Sequence, residues 1–163
     1  MDRSVTLEDM AGTFESLARA TNKSACISNR HSEHIASWVN AALSIELFAK
    51  CLAEHVNGKY LPTHDLKKIL DELSVSIRSD LLSAFDDQIT DEAKENVKRL
   101  EKESGVSIGY DFESIISNWS LVFVKSRYWF ENQGSQGFHA LFFDELIAAL
   151  KQEIEKQKRC RSS

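Results

Sequence analysis

With 163 residues, 42% of them hydrophobic and 28% charged, the chain is long enough to bury one core and too short for several domains. A formal net charge of −5 argues against broad, sequence-independent attraction to nucleic acid, which needs an excess of cations, but leaves room for a local basic patch. Three cysteines (Cys26, Cys51, Cys160) without finger-like spacing, and an N-terminus MDRSVTLEDM with no apolar signal core, point to the reducing cytoplasm and away from a disulfide scaffold. No apolar run is read as a membrane span.

One proline and six glycines fall between periodic segments, so long helices are expected rather than many short strands. Thr6 and Asp9 approximate a capping box, and Leu7, Met10, Phe14, Leu17 and Ala18 follow at helical spacing; this predicts an amphipathic outer helix. Residues 21–29, polar and small, read as a loop. A second helix spans about 32–56, with Trp38, Ala42, Ile45, Ala49, Leu52 and Val56 as its main stripe and Leu43 and Leu47 opposite. Two apolar faces place it either deep in a bundle or against another subunit. Glu46 lies on the shoulder of the stripe, one turn from Lys50. It forms either a solvated i,i+4 pair or an ion pair with a cation from another helix.

Asn57-Gly58-Lys59 stops that helix, and Pro62 separates it from the next, which Thr63 is expected to cap with Asp65 in its first turn. Leu66, Ile69, Leu70 and Leu73 form its buried stripe. Residues 76–89 make a short helical piece around Leu81, Leu82 and Phe85. Residues 90–104 are charged, with Val97 and Leu100 as anchors and Glu95 set to pair with Arg99. A loop over 105–111 leads to residues 112–131, the most apolar segment, for which Asp111 is the expected cap. Leu121, Val122, Phe123 and Val124 cover every direction in one turn, so this helix is predicted to run through the middle of the bundle. After a loop at 132–137, the last helix covers about 138–158 and buries Phe142, Phe143, Leu146, Ile147, Leu150 and Ile154. Residues 151–163 carry Lys151, Lys156, Lys158, Arg159 and Arg161, cations suited to a solvated helix C-terminus. Short connections imply antiparallel neighbours: one all-α domain, an antiparallel bundle of four long helices plus one or two short ones.

Among polar residues, Arg127 stands out because a guanidinium in an apolar helix needs a partner. It either bonds Glu46, Asp65 or Glu131 or faces a phosphate beside the 132–137 loop. Tyr128 and Trp129 either stack on a base or belong to the core. His64 and His139 are candidates for acid–base work. Cys26, His31 and His34 offer nitrogen and sulfur ligands but lack a fourth partner, so no metal and no cofactor is assigned.

Three segments stand in order: Leu43-Ser44-Ile45-Glu46-Leu47-Phe48-Ala49-Lys50-Cys51-Leu52, then Thr63-His64-Asp65-Leu66, then Val124-Lys125-Ser126-Arg127-Tyr128-Trp129-Phe130-Glu131. Together, over about residues 32–150, they resemble the HEPN domain, closest to small stand-alone members with His-Asp-Leu and Arg-Tyr-x-x-Glu signatures. The resemblance implies a cytoplasmic helical bundle that often dimerises. Many HEPN proteins are metal-independent ribonucleases of defence and toxin–antitoxin systems, and others bind RNA or nucleotides. Nuclease members carry Arg, four to six residues, then His. Here Arg30 and His34 are separated by three residues and Arg127 lies twelve positions before His139, so the nuclease pair is missing. The resemblance therefore implies a non-catalytic, dimeric, RNA- or nucleotide-associated accessory or defence domain, with Glu46, Lys50, His64, Asp65, Arg127 and Glu131 as its polar cluster. Two alternatives stand beside it: a divergent metal-independent ribonuclease using His64 or His139 with Arg127, and a structural subunit of a cognate protein partner. No membrane is implied.

Overall fold

The described residues fold into α1 (Arg3–Ser28), α2 (His31–Asn57), α3 (Leu66–Asp71), α4 (Val75–Gln88), α5 (Asp91–Ser104), α6 (Phe112–Arg127) and α7 (Phe143–Arg161). The computed structural model describes the backbone of residues 3–28, 31–127 and 141–161, and side chains of 6–27, 33–122 and 141–161. Among the described residues there is no strand, and the chain is all-α, as its periodicity predicts. Buried residues from all seven helices join in one apolar cluster.

The first two helices form an antiparallel hairpin with a seam of small residues. Ser37 Oγ donates to the Ala18 carbonyl at 3.0 Å and Ser44 Oγ to the Ala11 carbonyl at 2.9 Å. Seven residues forward on α2 match seven backward on α1, so one register holds along the seam. Ala11, Ala18 and Ala25 are buried in it, and such short side chains let the two backbones approach closely. The seam explains why residues 21–28 are not part of the loop expected over 21–29: α1 continues through Ser28. The heptad-spaced alanines keep their contact with α2, and Thr21 turns its hydroxyl back onto the Leu17 and Ala18 carbonyls. Tertiary packing here overrides weak local propensity. It also shifts the buried face, leaving Met10 and Leu17 exposed.

The central element is α2. It packs against α1, α3, α6 and α7, and its residues from Ala41 to Ala53 are buried with the exceptions of Leu43 and Leu47, which are half-buried. Of the two placements open to a doubly apolar helix, the structure takes the one deep in the bundle. By length and composition, Glu33–Asn57 is apolar enough to cross a membrane, but most of it is buried against protein; its hydropathy reflects enclosure on several sides. The expectation that 112–131 runs through the middle is corrected for the described side chains, 112–122; the side chains of 123–131 lie outside the described residues. Over its described side chains α6 is amphipathic, burying Phe112, Ile115, Ile116, Trp119 and Val122 while Leu121 is 42% exposed.

The shorter helices are set by their caps. Asp65, not Thr63, caps α3: its carboxylate accepts from Lys68 N at 3.3 Å, while Thr63 Oγ1 accepts from Asp65 N. The predicted stripe Leu66, Ile69, Leu70 and Leu73 is buried. Ser74 caps α4, which buries Leu81 and Phe85 and exposes Leu82. In α5, Thr90 is the cap and Val97 the buried anchor, whereas Leu100 is exposed. Glu95 pairs with Lys98 at 2.7 Å instead of Arg99, which bonds Asn96. Gly105 ends α5 at φ +68, a conformation open to glycine without strain.

Cationic residues of α7 are spent on neighbouring helices. Lys151 reaches Glu15 and Lys158 reaches Glu8 on α1, and Lys156 reaches Asp80 on α4. Arg19 answers from α1 to Asp144. Leu146, Ile147, Leu150 and Ile154 are buried as predicted. The helix begins at Phe143, because Phe142 takes a left-handed φ of 59 and so breaks the helical path before it.

Asp111 caps α6, accepting from Ser114 N at 2.9 Å and from the Ser114 hydroxyl at 2.5 Å. These bonds, the hydroxyl first, hold its carboxyl below the usual range. A depressed carboxyl adds stability above its unfolded value, and that increment is lost as pH falls through the folded value. Asp111→Ala is therefore expected to cost about 0.5–2 kcal/mol at neutral pH. Urea titrations should show the difference from the parent shrinking at acid pH; a difference that persists when the carboxyl is protonated would exclude the charge-assisted cap.

Candidate functional site

The polar residues on one face of α2, at i, i+4 and i+8, are Glu46, Lys50 and Glu54. Gly58, at φ +65, ends the helix by closing Gly58 N onto the Glu54 carbonyl at 2.8 Å. The chain then doubles back along this face. Buried Leu61 anchors the return, Asp65 is held as the α3 cap, and Asn57 Nδ2 donates to the Glu72 carbonyl at 3.0 Å. His64, between the two anchors, is thereby brought to Glu46.

Lys50 Nζ lies 2.8 Å from Glu46 Oε1, with side-chain exposures of 3% and 8%. His64 Nδ1 sits 3.0 Å from the same oxygen and 3.3 Å from Oε2. The Tyr60 ring centroid is 5.5 Å from the ammonium, within cation–π range. The arrangement differs from both sequence readings of the pair. It is an i,i+4 pair, but a buried one, and the further group meeting Glu46 comes from the loop before α3. Burial changes its energetics: a solvated helix pair contributes a few tenths of a kcal/mol, whereas a buried pair offsets two large desolvation costs and leaves a serious deficit if either partner is removed.

His64 has a 73% exposed side chain, and its Nδ1 edge meets a buried carboxylate. When Nδ1–H donates to Glu46, the neutral ring keeps Nε2 as an acceptor, and the imidazolium presents an Nε2–H donor. A carboxylate-oriented imidazole at the surface can contact an anion or move a proton.

Of the residues selected from sequence, Glu46, Lys50 and His64 come together. Asp65 does not join them; its carboxylate caps α3 and lies 3.5 Å from Lys68 Nζ. Arg127 is the last described backbone position of α6, and its side chain, like Glu131 and His139, lies outside the described residues. Cys26 is exposed and His34 stacks on Trp38 at 6.1 Å; the His31 side chain lies outside the described residues. Two groups were passed over. Glu54 has a buried Oε2 without a hydrogen-bond partner among the described residues, and its i+8 spacing from Glu46 was the available signal. Cys51 and His55 also share a face of α2 at i,i+4 spacing, a pattern legible in the sequence. Compared with family models, curated proteins and solved structures, the chain has no match.

Proposed function

We propose that this chain is a HEPN-like, cytoplasmic domain associating with RNA or nucleotides in an accessory or defence role, as a homodimer without nuclease activity. The observation that supports this reading best is His64, a largely exposed imidazole whose Nδ1 edge is held by the buried Glu46. It offers a phosphate a fixed donor, and the Glu46–Lys50 pair beneath it restrains the loop that carries it. A homodimer would need a surface other than α2, which is enclosed; α1 offers exposed Met10 and Leu17, two turns apart.

The test is binding of labelled single-stranded RNA and of nucleotides, followed by fluorescence anisotropy. His64→Ala is expected to weaken binding at least about tenfold while changing stability by less than about 0.5 kcal/mol, since the side chain is largely exposed. Unaltered binding by that variant would remove His64 from the interface. Sedimentation that finds only monomer at micromolar concentration would remove the dimer.

A divergent ribonuclease is the second reading, favoured by the Glu46–His64 contact, because an oriented imidazole with an accepting Nε2 can take a 2′-hydroxyl proton. It requires RNA cleavage in EDTA that His64→Ala abolishes while the fold survives. The third possibility, a structural subunit of a cognate protein, predicts co-purification of that partner and no response to RNA.

A further inference from the structure

Away from this site, Glu8 on α1 and Cys51 and His55 on α2 converge. One carboxylate oxygen, the thiol sulfur and one imidazole nitrogen all lie within 4.8 Å of one another. Cys51 is buried, and His55 Nε2 is buried with no hydrogen-bond partner among the described residues. A buried polar nitrogen without a partner is costly, and its position beside a thiol and a carboxylate suggests what would satisfy it. We propose that Glu8, Cys51 and His55 form a binding site for a borderline-soft divalent ion of the zinc type.

The donor set selects that class. Thiolate and imidazole suit zinc and exclude calcium and magnesium, which require oxygen cages. Zinc bonds of about 2.0–2.3 Å put tetrahedral ligands about 3.3–3.8 Å apart, so a separation up to 4.8 Å needs a closure of about an ångström, within side-chain reach. Two ligands sit one turn apart on a single helix. The third is held in register by the seam, through the Ser44 bond to the Ala11 carbonyl. Three protein ligands leave the fourth position to water, on the side of the partly exposed Glu8. Binding releases the Cys51 thiol proton to solvent.

A cation already guards the entrance. Lys158 Nζ lies 2.8 Å from Glu8 and 2.7 Å from Glu155. On metal entry Glu8 exchanges the ammonium for the ion, and Lys158 stays with Glu155. Lys158 therefore competes with the metal, and its removal should tighten binding.

Titration of the metal-free full chain with cobalt(II), followed by absorption, tests this. One equivalent should produce a near-ultraviolet thiolate-to-cobalt charge-transfer band with visible d–d bands, all bleached by zinc. Cys51→Ser should eliminate the charge-transfer band, and Glu8→Gln and His55→Ala should each weaken affinity at least about tenfold, while Lys158→Met strengthens it. Circular dichroism checks the folding of Cys51→Ser; Glu8→Gln lies at the partly exposed rim and tests the site without disturbing the core. Absence of a thiolate band, d–d bands alone, or a band of unchanged affinity in both Glu8→Gln and His55→Ala would overturn the proposal.

Discussion

Lys50→Met is expected to lower stability by about 3–5 kcal/mol, more than a change at any exposed salt bridge. The lost attraction is not the main cause. Methionine fills the space, but the Glu46 carboxylate, 8% exposed in its side chain, is left facing an apolar side chain, with His64 as its remaining partner among the described residues. The double variant Glu46→Leu/Lys50→Met removes both charges together and should recover most of the loss, because a buried pair barely repays its own desolvation. His64 then loses its acceptor at little cost, since the ring is mostly in water. Urea unfolding of the two single variants and the double one gives the coupling directly. Additive losses would show that the two groups do not depend on each other, contrary to the 2.8 Å contact. The same series read by RNA binding separates stability from recognition: the double variant should fold and yet bind as weakly as His64→Ala.

Phe85→Ala should cost a comparable about 3–5 kcal/mol for a different reason. Phe85 is fully buried on α4, its ring edge-on to Phe112 at 5.5 Å and to Phe142 at 6.3 Å. It thus joins α4 to the first residue of α6 and to the residue preceding α7. Truncation loses the transfer free energy of the ring, two aromatic contacts and the packing around the resulting cavity. Phe85→Leu keeps most of the volume and should lose clearly less. Equal midpoints in urea for Phe85→Ala and the parent would mean that the three elements are not packed through this ring. The Arg78 pairs with Glu113 and with Asp71 reinforce the same corner at the surface. They favour the protonated guanidinium, most through Glu113, but are partly solvated and contribute little by comparison.

Neither site could be located from local pattern alone, which reaches only as far as contacts within one helix. Leu66, Ile69, Leu70 and Leu73 could be named as core before any coordinates, since one face of a helix repeats at a fixed spacing whatever lies across from it. Gly58 and Asp111 were legible for the same reason: a left-handed stop and a side-chain cap act on their own backbone. Thr63 reads as the α3 cap because two turn-forming residues, separated only by His64, compete for that place, and the anchoring of Leu61 and the α3 docking select Asp65. Glu46 and Lys50 were recognisable as a pair, but their burial was not, because the cover comes from a loop that returns along α2.

By itself, then, the amino-acid order determined the helical class, the main stops and the apolar stripes, all of which arise from interactions within a few residues. Tertiary structure decided that α2 rather than α6 is the hub, that α1 extends to Ser28, that Glu46 meets His64, and that Glu8 joins Cys51 and His55. Each of these depends on which surfaces meet across long stretches of chain. Helical periodicity marks a face as apolar or polar but does not name the partner that covers it.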